Sequence, residues 1–213
     1  MTRIYFIRHG ESEANKNGRY AGWFDAPLTE QGVKQANLTA EFLKKVPFDA
    51  FYGSDLSRAY DTGCAVAALH SMPVTSCQAL REIHAGVWEG RLIEEVMTCY
   101  PVEYALWKEH VGLCTFPDGE SVAQLQQRVR NEVESIVHRH PGQTVCVATH
   151  ATPIRVMEAV WNNVPLEKLD TIPWVANASV TIVEYDENGV GRLVERDLHD
   201  HLGALSTFVS AKL

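Results

Sequence analysis

Two short, wholly apolar runs that each close on a histidine restrict the fold more than any other feature. The first is Ile4-Tyr5-Phe6-Ile7, followed by Arg8-His9-Gly10; the second is Val145-Cys146-Val147-Ala148, followed by Thr149-His150. Unbroken apolar runs of this length describe strands buried on both faces, as in parallel sheets covered by helices. Helical patterns separate the strand-like runs. A helix is expected over 29–45, with Thr29 as N-cap and Pro47 just past its end. A short strand over 50–54, a helix over 56–69 and a third strand over 74–80 follow. The clearest helix lies between Ser121 and His140, where Val122, Leu125, Val129, Val133, Ile136 and Val137 form one stripe behind a Ser121/Gln124 capping box. Beyond the second histidine a helix is expected over 153–161, with Thr152 as N-cap. A turn at Glu187-Asn188-Gly189 joins two strands into a hairpin. The expectation is a single three-layer α/β/α domain spanning 1–213: a mostly parallel sheet with an antiparallel edge, and an irregular, partly helical excursion over 89–119.

Composition narrows the role. A chain of 213 residues buries a substantial core, and 46% hydrophobic with 22% charged residues is ordinary for a globular protein. No apolar run approaches the roughly 20 residues that span a bilayer. The opening apolar stretch is broken at once by Arg8 and His9, unlike a signal peptide. No membrane association and a cytoplasmic location are therefore expected. Cys64, Cys77, Cys99, Cys114 and Cys146 are odd in number and scattered, against a disulfide framework or a thiolate zinc site. A net charge of -8 without a basic stripe argues against nucleic acid. Any anion site must then be a local concentration of cations and N–H dipoles.

The chemistry gathers at strand ends. Open parallel sheets bind ligands beyond the carboxyl ends of their strands. His9 and His150 stand there, Arg58 opens the helix after the second strand, and the third strand delivers Arg81-Glu82. Each residue alone has an ordinary structural explanation; their convergence on one sheet edge is the signal.

The run Arg8-His9-Gly10-Glu11-Ser12, with Asn15, resembles the signature of the histidine phosphatase superfamily, the phosphoglycerate mutase-like family. In order along the chain, the stretches 22–32, 54–59, 80–82 with 86–90, 117–121 and Thr149-His150 resemble it too. The resemblance implies that His9 is the nucleophile and that Arg8, Arg58 and His150 surround the phosphoryl oxygens, with Asn15 as a further polar contact. Glu82 would protonate the leaving group. Gly22, Trp23 and Ala151 are further substrate-binding candidates, with Tyr20, His84 and Arg19 behind them. Ala151 departs from the family, where glycine is common after the second histidine. Two guanidiniums suit a phosphate, and neighbouring cations help keep His9 neutral, its second ring nitrogen held by a backbone carbonyl near Gly10.

These features lead to a metal-independent phosphomonoester hydrolase acting on a small phosphorylated metabolite through phosphohistidine, without a cofactor. A cofactor-dependent phosphoglycerate mutase is the alternative. Mutases of the family grip a substrate carboxylate with basic residues in the excursion, whereas 91–119 offers only Arg91 and Lys108 and is rich in aromatic and aliphatic groups. A catalytically inactive phosphate-binding module is the alternative of another class. No metal is expected: His199-Asp200-His201 cannot easily turn three consecutive side chains onto one ion and reads as solvated surface. A homodimer through an apolar face is conceivable.

Overall fold

The computed structural model describes residues 1–208. Strand β1 (Thr2–Arg8) leads into a one-turn helix α1 (Glu13–Lys16), then α2 (Glu30–Leu43), β2 (Ala50–Gly53) and α3 (Ser57–Ala68). A two-residue strand β3 (Thr75–Ser76) is followed by α4 (Ile93–Cys99), α5 (Pro101–Glu109) and α6 (Val122–Arg139). Strand β4 (Thr144–Thr149), α7 (Ala151–Trp161), β5 (Val180–Tyr185) and β6 (Gly191–Leu198) complete the described elements. The sheet order is β3-β2-β4-β1-β5-β6. The first four run parallel, while β5 and β6 pair antiparallel at one edge.

Alternation along β1 shows why both faces are covered. Ile4 and Phe6 pack with Val145, Val147, Val129, Val133 and Ile154, under α6 and α7. Tyr5 and Ile7 pack with Ala40, Leu43, Phe51 and Val66, under α2 and α3. Successive side chains of a strand point to opposite faces, so a continuous apolar run serves two cores. The excursion folds around Trp88, which is fully buried with Tyr20 and Phe116 edge-on at 5.4 and 4.9 Å between ring centroids.

Cap chemistry set most helix boundaries as expected. Thr29 accepts from Gly32 N, and Ser121 and Gln124 form the reciprocal box. Two expectations fail. The third strand shrinks to Thr75–Ser76, because β2 is itself only four residues long and the chain then tightens into a 3₁₀ turn at Gln78–Leu80. Thr152 is not an N-cap: α7 begins at Ala151 and His150 holds the extended cap position, at φ -125° and ψ 175°. Pro153 is tolerated one turn in because first-turn N–H groups have no intrahelical partner anyway. Among the described residues no helix is long and apolar enough to cross a membrane.

Candidate active site

Register assembles the site. Arg8 of β1 lies opposite Thr149 of β4, and Ala148 lies opposite Gly53 of β2. His9, His150 and Ser54 therefore leave three adjacent parallel strands at the same edge. The two imidazoles stand 5.1 Å apart between centroids, inclined by 62°.

His9 is fixed from three sides. Its Nδ1 lies 2.7 Å from Gly10 O, the contact of an Nδ1–H donor, which leaves Nε2 with a free lone pair. Its own carbonyl accepts from Ala178 N and from Asn177 Nδ2, each at 3.1 Å. Gly10 is required by packing: a Cβ there would meet Gly32 O at 2.5 Å, so the nucleophile loop and the start of α2 touch backbone to backbone. Burial pushes the His9 pKa well below 6.5, and the charges of Arg58 and then Arg8 push it further the same way. His150 is driven down chiefly by burial as well. Its Nε2 meets Ser54 Oγ at 2.8 Å, and its Nδ1 is buried without a protein partner.

Both guanidiniums are buried, Arg8 at 1% and Arg58 at 0% exposure. Arg8 donates to Val175 O at 2.5 Å; Arg58 donates to Gly22 O at 2.8 Å and Phe24 O at 3.1 Å. The Nε of each lacks a protein partner. Desolvation lowers both to about 10, with Glu82 opposing, so both remain cationic at neutral pH. Asp25 explains how Arg58 is presented. Its Oδ1 accepts from both Ser57 N and Ser57 Oγ at 2.8 Å, capping α3 one residue before the arginine.

Glu82 is half-buried. Its Oε1 accepts from Ile83 N at 2.8 Å, and its Oε2 accepts from Thr152 N at 3.3 Å, a free amide of the first turn of α7. Arg128 holds the segment that carries it, donating to the carbonyls of Ala79, Arg81 and Glu82 while its guanidinium pairs with Glu120 through two 2.8 Å bonds.

One cavity joins Arg8, His9, Gly22, Glu82 and Ala151 with Arg19, Tyr20, Ala21, Trp107, Thr152 and Trp174. Arg58 and His150 are fully buried and are not among its lining residues, and the His150 ring packs against that of His9. Trp23 sits behind Glu82, donating from Nε1 to Glu82 O at 2.8 Å, with His84 against its ring at 4.6 Å. Asn15 Oδ1 accepts from Ser12 N and Asn177 Nδ2, so it ties α1 to the loop behind the nucleophile. Arg81 is bound to Asp55 by two 2.6 Å bonds. Of the terminal histidines, His201 is less solvated than expected: its Nε2 meets Thr39 Oγ1 at 2.9 Å and its ring stacks on Phe42 at 4.5 Å. Among the described residues no group of three or more His, Cys, Asp or Glu side chains is arranged to hold a metal ion.

Sequence reasoning passed over Ser54, Arg128 and the whole loop 172–178. Ser54 could have been found, since it ends the second strand as His9 ends the first. Arg128, Val175 and Asn177 make contacts to or through backbone carbonyls, which leave no residue pattern, and Trp174 reaches the cavity from a loop with no periodicity to mark it.

The family model of the histidine phosphatase superfamily (branch 1) matches residues 4–197. The chain belongs to this superfamily. It is 36% identical over 203 residues to phosphoserine phosphatase 1 of Hydrogenobacter thermophilus, covering 95% of each chain. It is 34% identical over 153 residues to the probable phosphoglycerate mutase GpmB of Serratia proteamaculans, covering 70% of each. The structure superposes on YhfR of Bacillus stearothermophilus with a TM-score of 0.91 and 34% identity, over 95% of this chain and all of that one. This member of the superfamily is a phosphatase, an enzyme of phosphomonoester hydrolysis: the full-length likeness is to a phosphatase, while the mutase likeness covers less of either chain.

Proposed function

We propose that His9 Nε2 attacks the phosphorus of a small phosphomonoester to give a transient phosphohistidine. As the N–P bond forms, the ester P–O bond breaks, its electron pair leaves on the alcohol oxygen, and Glu82 delivers the proton that oxygen needs. Water then attacks phosphorus, Glu82 takes its proton, the N–P bond breaks, and inorganic phosphate leaves with His9 restored.

One observation supports this above the rest: a neutral imidazole, tautomerically fixed by Gly10 O, beside two buried guanidiniums whose Nε atoms no protein group occupies. Phosphoryl transfer depends mainly on positioning and on neutralising the equatorial oxygens, and Arg8, Arg58, His150 and the first turn of α7 supply donors for that. This set works without a metal or other cofactor. The bond from Thr152 N to Glu82 Oε2 keeps the proposed acid beside the scissile oxygen. Ala151, the first residue of α7, lines the cavity.

Hydrolysis is favoured over mutase chemistry by the excursion. Arg91 is turned onto Val87 O and lies near the Tyr100 ring, away from the cavity. Among the described residues Arg19 is the single cation lining the cavity besides Arg8. Phosphoserine, the substrate in the name of the Hydrogenobacter relative, is one candidate ester. Alkaline quenching during turnover of p-nitrophenyl phosphate tests the reading, since a phosphoramidate survives base but not acid: protein-bound phosphate should appear in wild type and vanish in His9→Ala. Equal absence of label and of turnover in both would leave only a binding module. Release of free phosphate from 3-phosphoglycerate, rather than its isomer, separates hydrolase from mutase.

A further inference from the structure

The loop between the 3₁₀ turn 166–171 and β5 carries Trp174, a half-buried residue that lines the cavity beside His9 and Glu82. Its position is imposed from below. Arg155 of α7, 3% exposed, donates from Nε to Ile172 O at 2.9 Å and from one terminal nitrogen to Leu169 O at 3.0 Å. Its guanidinium carbon lies 3.8 Å from the Trp174 ring centroid. Arg196 holds the next carbonyl, Pro173 O, at 2.6 Å and pairs with Glu158. Trp107 packs 6.0 Å from Trp174 and 5.6 Å from Tyr20, so three aromatic rings wall one side of the space left for the alcohol.

We propose that Trp174, positioned by Arg155, is the specificity-determining wall of the leaving-group subsite, and that the enzyme selects phosphate esters of flat, ring-bearing apolar alcohols over esters of small amino or hydroxy acids. The inference rests on the phosphoryl-transfer reading given above. Three features carry it. An aromatic leaving group packs offset or edge-on against indole with a gain beyond simple burial. A substrate ammonium finds no free carboxylate among the described residues that line the cavity: Glu82 is the one carboxylate there, and it is committed to the ester oxygen. The indole cannot substitute for one, because a guanidinium already occupies one face and opposes a second cation on the same ring. A substrate carboxylate would meet only Arg19, which is exposed and donates to Gly90 O. The enclosed part of the space measures about 60 Å³, and it opens to solvent at its mouth.

Steady-state kinetics on phenyl phosphate and O-phosphoserine test the proposal. Wild type should favour phenyl phosphate in kcat/KM. Trp174→Ala should cut that preference about tenfold, mainly through KM, and Trp174→Phe should recover most of it. Arg155→Met should raise KM for phenyl phosphate more than it changes kcat, with Arg155→Lys falling between it and wild type. Trp174 is half-buried, so its replacement leaves the core filled and the series stands apart from any folding defect at Arg155. A wild-type preference for O-phosphoserine, or a Trp174→Ala variant that scales both esters equally, overturns the inference alone. A wild type that turns over neither ester overturns the phosphoryl-transfer reading and the inference with it.

Discussion

At the residue scale the two histidines tie activity and stability to pH in the same direction. Both have pKa values held well below 6.5 by burial, with the guanidiniums adding to it. The unfolded chain therefore binds more protons than the folded one just below pH 6.5. Stability should be full above that pH and fall as pH drops through it, by up to about 1.4 kcal/mol per pH unit for each histidine. Chemical denaturation at pH 7.5, 6.0 and 5.0 measures the slope; a flat profile would contradict the burial of neutral imidazoles. For the same reason the acid limb of kcat/KM assigned to His9 should lie below pH 6.5, and raising the pH above 7 should not further activate the nucleophile. Arg58→Lys should lower kcat/KM by at least about a hundredfold, because a single ammonium cannot hold Gly22 O and Phe24 O and still present a free N–H to phosphate.

At the element scale, side chains from distant loops and helices brace the segments that carry Arg58 and Glu82. Asp25 closes the first turn of α3 from a loop 32 residues earlier in the chain. Asp25→Ala should cost about 1 kcal/mol of stability, as lost caps do, and also lower kcat/KM by loosening Arg58. Urea denaturation together with phosphatase kinetics would separate the two effects. Arg128 plays the matching part for Glu82, binding the backbone carbonyls of Ala79, Arg81 and Glu82 itself. Arg128→Met should reduce kcat more than it raises KM, since it displaces the proton donor rather than the phosphate cradle. The shortened third strand belongs to this scale: only Thr75 and Ser76 pair with Tyr52 and Gly53 of β2, and the chain then tightens into the 3₁₀ turn Gln78–Leu80.

At the scale of the molecule, the excursion is held to the sheet by the aromatic cluster about Trp88. Trp88→Ala should cost about 3–5 kcal/mol, a large share of the stability of a domain this size, and loosen Tyr20 and Trp107 together. Thermal melting with substrate turnover on the surviving protein checks both. No disulfide contributes: all five cysteines are free, so melting should be unchanged by reductant. The layered sheet, both apolar strands and the principal helices with their caps were legible in the chain, because strand burial, helix period and capping are set within a few neighbours; His9, Arg8, Arg58, Glu82 and His150 stood out through their places at strand ends and the family resemblance of the motifs that carry them. Tertiary structure alone decided that α7 starts at Ala151 with His150 as its cap, that Trp23 and Asn15 brace the site from behind, and that Arg155, Trp174, Val175 and Asn177 shape it. Those contacts join backbone carbonyls to side chains as far as 168 positions apart. Local pattern carries no record of them, since any residue can supply a carbonyl and only the closed fold determines which one an arginine meets.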